Sequence, residues 1–153
     1  MADKPKSASP SQSAHFKNAE FPALECVPNQ YAGRNYAVDI AIPEFTCLCP
    51  VTGQPDFAEI RVTYVPGETL IELKSLKFYI QAYRNVGIHH ESGVNKILDD
   101  LVSACAPRKM EVVGDFSVRG GHQDRCPDGL RKPGIATISR PGPHGDHRES
   151  PGR

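Results

Sequence analysis

The stretch YAVDIAIPEFTCLCPVTGQPDFAEIRVTYV, residues 36–65, decides the fold, because two alternating segments flank a turn within it. Residues 36–42 and residues 57–65 both carry their larger apolar side chains at every second position. A period of two predicts strands with two different faces. The two strands follow each other closely, so we predict an antiparallel pair. Pro43 should end or bulge the first strand, or mark it as an edge strand.

The segment between these strands, FTCLCPVTGQPDF at residues 45–57, holds a thiol and a carboxyl group close in sequence. Cys49 precedes Asp56 by seven residues, and two prolines and a glycine between them predict a stiff, bent loop. Such a loop can bring the thiol and the acid to one side, an arrangement that covalent catalysis uses. A buried structural cysteine is the commoner alternative, and these residues alone leave it open.

A short strand and two helices are predicted after the second strand. The segment ETLIEL, residues 68–73, follows a Pro-Gly turn and predicts the strand. Residues 74–87 place apolar side chains at spacings of three and four, and Gly87 is typical of a helix C-cap. The second helix is indicated by an apolar stripe over residues 94–105, with Ser92 as its N-cap and a proline after its end.

One more strand is predicted at the end of the folded domain. Residues 109–120, KMEVVGDFSVRG, predict this strand, with Gly114 at a candidate bulge. The predicted order β-β-β-α-α-β indicates an α+β fold with both helices on one face of an antiparallel sheet. Residues 1–18 and residues 122–153 have the composition of disordered tails, so the folded domain is residues 19–121. A domain of this size buries a modest fraction of its surface alone, which favours oligomerisation.

The composition argues against several classes of function. Among 153 residues, 18 basic side chains balance 18 acidic ones, which disfavours nucleic acid as the main partner. No apolar run approaches the ~18 residues that a membrane span requires, and the N-terminus lacks the apolar segment of a secretory signal. Five cysteines at irregular spacing do not resemble a disulfide framework and fit a reducing compartment, so we expect a cytoplasmic protein.

Two groups of polar residues outside the loop are candidates for binding, although ordinary surface positions would also explain them. His90 and Glu91 lie in the predicted loop between the helices, where functional residues often occur. Lys74 and Lys77 lie one turn apart at the start of the first helix, and Arg119 ends the last strand. Free backbone N–H groups at a helix start would help these cations to bind an anion.

Metal and nucleotide signatures are missing from the sequence. Cys47 and Cys49 have no second ligand pair at the spacing that a zinc site needs, so no metal site is predicted. Neither GxGxxG nor GxxxxGK[ST] occurs, so a nucleotide cofactor would not bind in a Rossmann or P-loop manner.

Four stretches resemble segments of one enzyme family and follow each other in the order found there: EFTCLCPVTGQPDFAEI at 44–60, ELKSLKFYIQAYRN at 72–85, HHE at 89–91 and PRKMEVVGDFSVRGG at 107–121. They are similar to segments of the NADPH-dependent 7-cyano-7-deazaguanine reductases, the nitrile reductases of queuosine biosynthesis in tRNA modification. The resemblance covers residues 28–121 and fits the single-module branch of that family. It implies the tunnelling fold (T-fold), in which the subunits of a homo-oligomer surround a central barrel and the sites lie between subunits.

The resemblance also implies an activity and its catalytic residues. The family reduces the nitrile of 7-cyano-7-deazaguanine (preQ0) to the aminomethyl group of 7-aminomethyl-7-deazaguanine (preQ1), consuming two NADPH per turnover. Cys49 corresponds to the nucleophile that attacks the nitrile carbon and forms a covalent thioimide, which accepts hydride more readily. Asp56 corresponds to the acid that protonates the nitrile nitrogen, with a proton that it already carries or takes from the thiol. His90 matches a neighbouring substrate and proton-transfer position.

The remaining positions that the resemblance implies are binding residues. Glu91 matches the carboxylate that accepts two hydrogen bonds from the guanine-like edge of the base. The substrate-contacting segment of the family falls on Ile71, Glu72 and Leu73. The phosphates of NADPH are assigned to Lys74, Lys77 and Arg119. Cys47 stands where a small residue such as serine is common, and the register of the P-V-T-G-Q-P-D run favours Cys49 as the nucleophile.

Two other functions stay open at this point. One is a T-fold relative that acts on a pterin or on GTP, as cyclohydrolases do, and stoichiometric zinc would favour it. The other is a noncatalytic module for a purine-like metabolite, which tight binding without NADPH oxidation would support.

Overall fold

The computed structural model describes residues 19–118 and the backbone of residues 134–139. This part of the chain belongs to the α+β class, as predicted. Its elements, in order, are β1 (Cys26–Pro28), β2 (Val38–Leu48), β3 (Pro55–Val65), β4 (Thr69–Ile71), helix α1 (Leu73–Gln81), a 3-10 helix (Ala82–Asn85), helix α2 (His90–Cys105), β5 (Lys109–Phe116) and β6 (Gly134–Ser139).

The main sheet has the strand order β2-β3-β5-β6, and every neighbouring pair is antiparallel. The predicted short strand, β4, is not part of this sheet. It pairs instead with β1, an N-terminal strand that the sequence pattern did not reveal, in a separate two-stranded sheet.

Strand β2 has two of the features predicted from Pro43, a bulge and an edge position. Its register against β3 shifts by one residue between Ile42 and Phe45, so the proline lies in a bulge. Among the described strands, β2 also forms one edge of the main sheet. A residue without a backbone N–H is tolerated at both kinds of position.

The hydrophobic core lies between the two helices and one face of the sheet. On β3, the alternating residues that the sequence assigned to one face are all buried: Ala58, Ile60, Val62 and Tyr64. The stripe on α2 belongs to the same hydrophobic core, since Val94, Ile97, Leu98, Leu101 and Cys105 are buried as well. The opposite face of the sheet is open in this chain, where Phe57 is 53% exposed. The prediction of helices on one sheet face is therefore confirmed.

The C-terminal end of α1 and the N-terminal end of α2 differ from the prediction. Helix α1 ends at Gln81 and continues as the 3-10 helix, and Gly87 forms a parallel bridge with Leu48 instead of a helix cap. Helix α2 begins at His90, with His89 as its N-cap, so Ser92 lies inside the first turn. This earlier start matters for the site, since it puts His90 on a helix and not in a loop.

Gly114 does not form the predicted bulge. It pairs with Ile60 in an unbroken register between β3 and β5. Its role is steric, because a Cβ atom there would lie 2.7 Å from Val94 and 2.9 Å from Phe116. A glycine at this position therefore lets helix α2 approach the sheet closely.

Strand β6 lies within the segment predicted to be a disordered tail. Its backbone pairs with β5 from Lys109↔Ser139 to Gly114↔Gly134, so that prediction is wrong for residues 134–139. The predicted tail at residues 1–18 lies outside the described residues, as does Arg119. Within the described part, no helix is long and apolar enough to cross a membrane.

Candidate active site

The turn between β2 and β3 holds Cys49 in a fixed loop. The backbone N–H of Cys49 donates to the carbonyl of Gln54 at 2.8 Å, and the N–H of Gly53 donates to the carbonyl of Cys49 at 2.8 Å. Gly53 has φ of 71°, a backbone conformation that glycine adopts without strain. The stiff, bent loop predicted from the sequence is therefore present, with the Cys49 side chain at its start and half-buried.

A second set of backbone hydrogen bonds joins this loop to the segment before α2. The N–H of Leu48 donates to the carbonyl of Val86, and the N–H of Ile88 donates to the carbonyl of Leu48, both at 3.0 Å. These bonds fix Leu48 beside the residues that lead into helix α2. As a result, the first turn of α2 begins next to the cysteine loop.

The carboxyl group of Asp56 meets the imidazole of His90 at this junction. Asp56 is 2% exposed, on the core side of β3 near its start. His90 Nε2 lies 3.1 Å from Asp56 Oδ2, and the His90 side chain is 37% exposed. This separation permits direct proton transfer between the two side chains. Burial of the acid also strengthens the electrostatic interaction, because water screens it less.

The two cysteines of the loop have different surroundings. Cys47 has no exposed surface and lies opposite Asp56 in the β2–β3 ladder. Cys49 lies one residue beyond the end of β2 and is only half-buried. A small molecule can therefore approach Cys49 but not Cys47.

Glu91 is the residue after His90, in the first turn of α2. It is exposed, and the positive end of the helix dipole favours a carboxylate at this position. Of the predicted site residues, the structure therefore brings Asp56 and His90 into contact. Glu91 follows His90 in the first turn of α2, and Cys49 lies in the loop that leads into the strand of Asp56.

The predicted substrate segment lies at the other end of the sheet. The N–H of Ile71 donates to the Tyr64 hydroxyl at 3.3 Å, and Tyr64 and Asp56 are separated by eight residues on β3. At about 3.3 Å per residue, this corresponds to roughly 26 Å along the strand. A single chain therefore does not bring Ile71, Glu72 and Leu73 to the cysteine loop. Leu73 is 61% exposed, and Ile71 is buried.

Glu72 has a structural function that the sequence analysis missed. Its carboxylate caps helix α1, accepting hydrogen bonds from the N–H groups of Lys74 at 2.8 Å and Ser75 at 2.7 Å. These two bonds lower the pKa of Glu72. The N–H groups expected to be free for an anion are thus already occupied, so that part of the anion-site hypothesis is wrong.

The lysines of α1 remain available through their side chains. Lys74 and Lys77 are both exposed. Lys77 lines an open groove of about 340 Å³ between α1 and the edge strand β2, together with Arg84, which the sequence analysis did not select. The rest of the groove is mostly apolar, with one acidic side chain, Glu44.

Phe116 is the other residue that the sequence analysis missed. Its ring stacks on that of His90, with centroids 3.7 Å apart and planes 9° from parallel. No local pattern signals this contact, since the residues are 26 positions apart and on different elements.

The described residues contain no group of three or more His, Cys, Asp or Glu side chains arranged to hold a metal ion. In this α+β protein, the loop that carries Cys49 leads into the strand of Asp56, which contacts His90. A thiol, an acid and an imidazole are the groups that enzymes with covalent catalysis use.

Comparisons with known proteins identify the family. The profile of the QueF-like protein family matches residues 55–126. The NADPH-dependent 7-cyano-7-deazaguanine reductase of Anaeromyxobacter sp. (strain K) is 58% identical over 98 residues, which are 64% of this chain and 80% of the relative. The enzyme of the same name from Nitrosococcus oceani is 50% identical over 111 residues, 72% of this chain and 86% of the relative. The chain belongs to the family of NADPH-dependent 7-cyano-7-deazaguanine reductases.

The fold also matches a solved structure. The crystal structure of the archaeosine synthase QueF-Like in the apo form superposes with a TM-score of 0.57, at 20% sequence identity, covering 70% of this chain and 96% of the other. At this identity the likeness concerns the fold alone.

Proposed function

We propose that this protein reduces the nitrile of 7-cyano-7-deazaguanine to the aminomethyl group of 7-aminomethyl-7-deazaguanine, with NADPH, in queuosine biosynthesis. Relatives at 50–58% identity are reductases of this name. The observation that carries the proposal for this chain is the 3.1 Å contact between His90 and the buried Asp56, next to the cysteine loop. A thiol nucleophile and a proton donor are the two groups that addition to a nitrile requires.

The first step is addition of the Cys49 thiol to the nitrile carbon. A bond forms between Sγ and the carbon, one bond of the carbon–nitrogen triple bond is lost, and the nitrogen takes up a proton, giving a thioimide. The S–H bond of the thiol breaks in the same step: Asp56 gives a proton to the nitrogen, and the proton that the thiol loses restores Asp56, so no net proton is consumed. His90, 3.1 Å from Asp56, can exchange this proton with solvent, since its ring is partly exposed. Cys47 takes no part in this step, because it has no exposed surface.

Recognition of the base is assigned to Glu91. Its carboxylate is exposed beside His90 and can accept two hydrogen bonds from the N–H groups of a guanine-like edge. This arrangement would discriminate against a base that lacks either donor, because a charged acceptor would then lose a partner.

The groove beside helix α1 is the proposed cofactor site. Lys74 and Lys77 would hold phosphates of NADPH, with Arg84 on the same groove as a further cation. The role assigned to Arg119 stays a prediction, as this residue lies outside the described part. When bound, NADPH supplies hydride, and two molecules supply the four electrons that separate a nitrile from a primary amine.

The complete site is proposed to form between subunits of a homo-oligomer with T-fold barrel geometry. The roughly 26 Å along β3 that separates Asp56 from the contact of Tyr64 with Ile71 supports this, because one chain cannot supply both parts of the site. The exposed Leu73 and the edge position of β2 also leave surface for a second copy to cover. We further propose a cytoplasmic location, where NADPH and reduced thiols are maintained.

Oxidation of NADPH tests the proposal. Absorbance of NADPH should fall only when 7-cyano-7-deazaguanine is added, and two NADPH should be consumed per nitrile. Guanine, which has the same base edge but no nitrile, is the control and should cause no oxidation. Tight binding of the nitrile with no oxidation at any cofactor concentration would show that the protein is a binding module.

A further inference from the structure

The His90 ring is held on one side by an aromatic side chain. Phe116, the last residue of β5, stacks on it with ring centroids 3.7 Å apart and an interplanar angle of 9°. An imidazole that contacts a carboxyl group through one nitrogen can still tilt about that contact, whereas a stacked neighbour also fixes the plane of the ring. Phe116 and Asp56 therefore constrain different motions of His90.

Phe116 is itself fixed by its neighbours. Its ring packs edge-on against the buried Phe45, with centroids 6.1 Å apart and planes at 86°. Its backbone pairs with Ala58 on β3, two residues from Asp56. Gly114 leaves the space that the ring occupies, since a Cβ there would lie 2.9 Å from Phe116 Cε2. The ring that supports His90 is thus on the strand that pairs with β3, the strand of Asp56.

We propose that Phe116 is a positioning residue, which holds the His90 imidazole in the orientation that places Nε2 against Asp56. This inference rests on the proposed function, which gives the pair of His90 and Asp56 its catalytic role. The contact between Phe116 and His90 does not depend on that function. Because the His90 side chain is 37% exposed, the ring could turn toward solvent if the stacking were lost. Phe116 has no group that transfers a proton, so it acts only through His90.

A leucine at position 116 would keep much of the volume and remove the stacking. We expect Phe116→Leu to slow thioimide formation about tenfold, because small misplacements of catalytic groups have large effects on rate. The KM for the nitrile should change by less than about twofold, since recognition of the base is assigned to Glu91. Phe116→Tyr should keep the wild-type rate, because its ring can stack in the same way.

A double-mutant cycle separates positioning from simple packing. In the His90→Ala background, Phe116→Leu should slow thioimide formation by less than about twofold, because the ring that it positions is gone. Equal losses in both backgrounds would overturn the proposal. Phe21→Leu is the matched control, since Phe21 also packs on an aromatic ring, that of Tyr83 with centroids 4.6 Å apart and planes at 52°, and neither residue is assigned to the site. It should lose stability and keep the wild-type rate.

The NMR spectrum of His90 tests the stacking by Phe116 without any reaction. Stacking should displace the ring-proton signals of His90 upfield, and this displacement should be lost in Phe116→Leu and kept in Phe116→Tyr. Unchanged His90 signals in the leucine variant would overturn the proposal, whatever the protein's activity. A wild type that formed no thioimide could still show the upfield shift of the His90 signals, with the shift lost in Phe116→Leu. In that case the proposed function would be wrong, and the positioning of His90 by Phe116 would be supported.

Discussion

Cys47 and Cys49 are two residues apart, yet only one of them can meet a substrate. Cys47 faces the core opposite Asp56, whereas Cys49 lies past the strand end in the turn. The sequence register favours Cys49, and the burial of Cys47 gives a physical reason for that preference. The burial depends on packing against distant elements, so it could not be read from the CxC pattern.

Replacing Cys47 should affect stability and not chemistry. Cys47→Ala leaves a small cavity in the core, and we expect a loss of about 1–2 kcal/mol in the free energy of unfolding. Urea denaturation measures this loss. Adduct formation with the nitrile should remain, and a variant that folded but formed no adduct would show that Cys47 has a chemical role.

The acid should matter for the rate more than for binding. Asp56→Asn removes the proton donor and keeps the shape of the side chain, so thioimide formation should slow by about 10² to 10⁴-fold. Stopped-flow absorbance measures the rate, and calorimetric titration with guanine checks that base binding is retained. A rate within threefold of the wild type would exclude Asp56 as the acid.

At the scale of elements, the start of each helix shows where sequence reasoning fails. The periodicity located both helices, because their apolar stripes follow from burial on one face. It predicted no N-cap for α1, which Glu72 caps, and it placed the N-cap of α2 at Ser92, whereas α2 begins at His90 without any side-chain cap. The contact of His90 with Asp56 joins residues 34 positions apart, so only the tertiary structure reveals it.

The Glu72 cap makes helix α1 sensitive to acid. Hydrogen bonds from Lys74 and Ser75 hold the pKa of Glu72 below its usual value of 4.5 in the folded protein. A lowered pKa means that the cap contributes stability above pH 4.5, and that this contribution is lost as the pH falls through the folded-state pKa. Glu72→Gln should therefore be less stable than the wild type at pH 7, and the difference should shrink on acidification. Denaturation midpoints between pH 7 and pH 3 measure it, and a difference independent of pH would contradict the capping role.

Close packing of α2 on the sheet should make Gly114 intolerant of any side chain. Gly114→Ala places a Cβ within 3.0 Å of Val94 and Phe116, and overpacking of this kind costs about 1–3 kcal/mol. Gly33→Ala is the control, because nothing lies within 4 Å of the added Cβ. Urea unfolding of the two variants should show a loss at position 114 and little change at position 33. Equal stabilities would mean that the helix moves away without cost.

In the whole molecule, the predicted substrate segment lies far from the cysteine loop along β3. The alternation of the strands predicted a sheet with one face on the helices, and the structure confirms it. Sequence alone could not say that Ile71, Glu72 and Leu73 lie far from Cys49 in the same chain, because the strand that leads into them could have paired within the main sheet, whereas β4 pairs with β1. The separation leads to a test of assembly that uses inactive variants.

Mixed oligomers should recover activity if each site uses two chains. Leu73→Glu and Cys49→Ala should each be inactive, but co-expressed at equal levels they should regain about one quarter of the wild-type activity, since random pairing gives that share of intact sites. Co-expressed Cys49→Ala and Asp56→Asn are the control and should stay inactive, because one chain supplies both residues. Equal activity from both mixtures, or a monomer in light scattering, would rule out a site between subunits.

Covalent capture of the nitrile by Cys49 can be observed by peptide mass spectrometry. Protein mixed with 7-cyano-7-deazaguanine in the absence of NADPH should gain the mass of one nitrile molecule per chain, on the peptide that contains Cys49. The adduct should be lost in Cys49→Ala and kept in Cys47→Ala. An adduct that persists in Cys49→Ala, or turnover of the nitrile by that variant, would contradict the account.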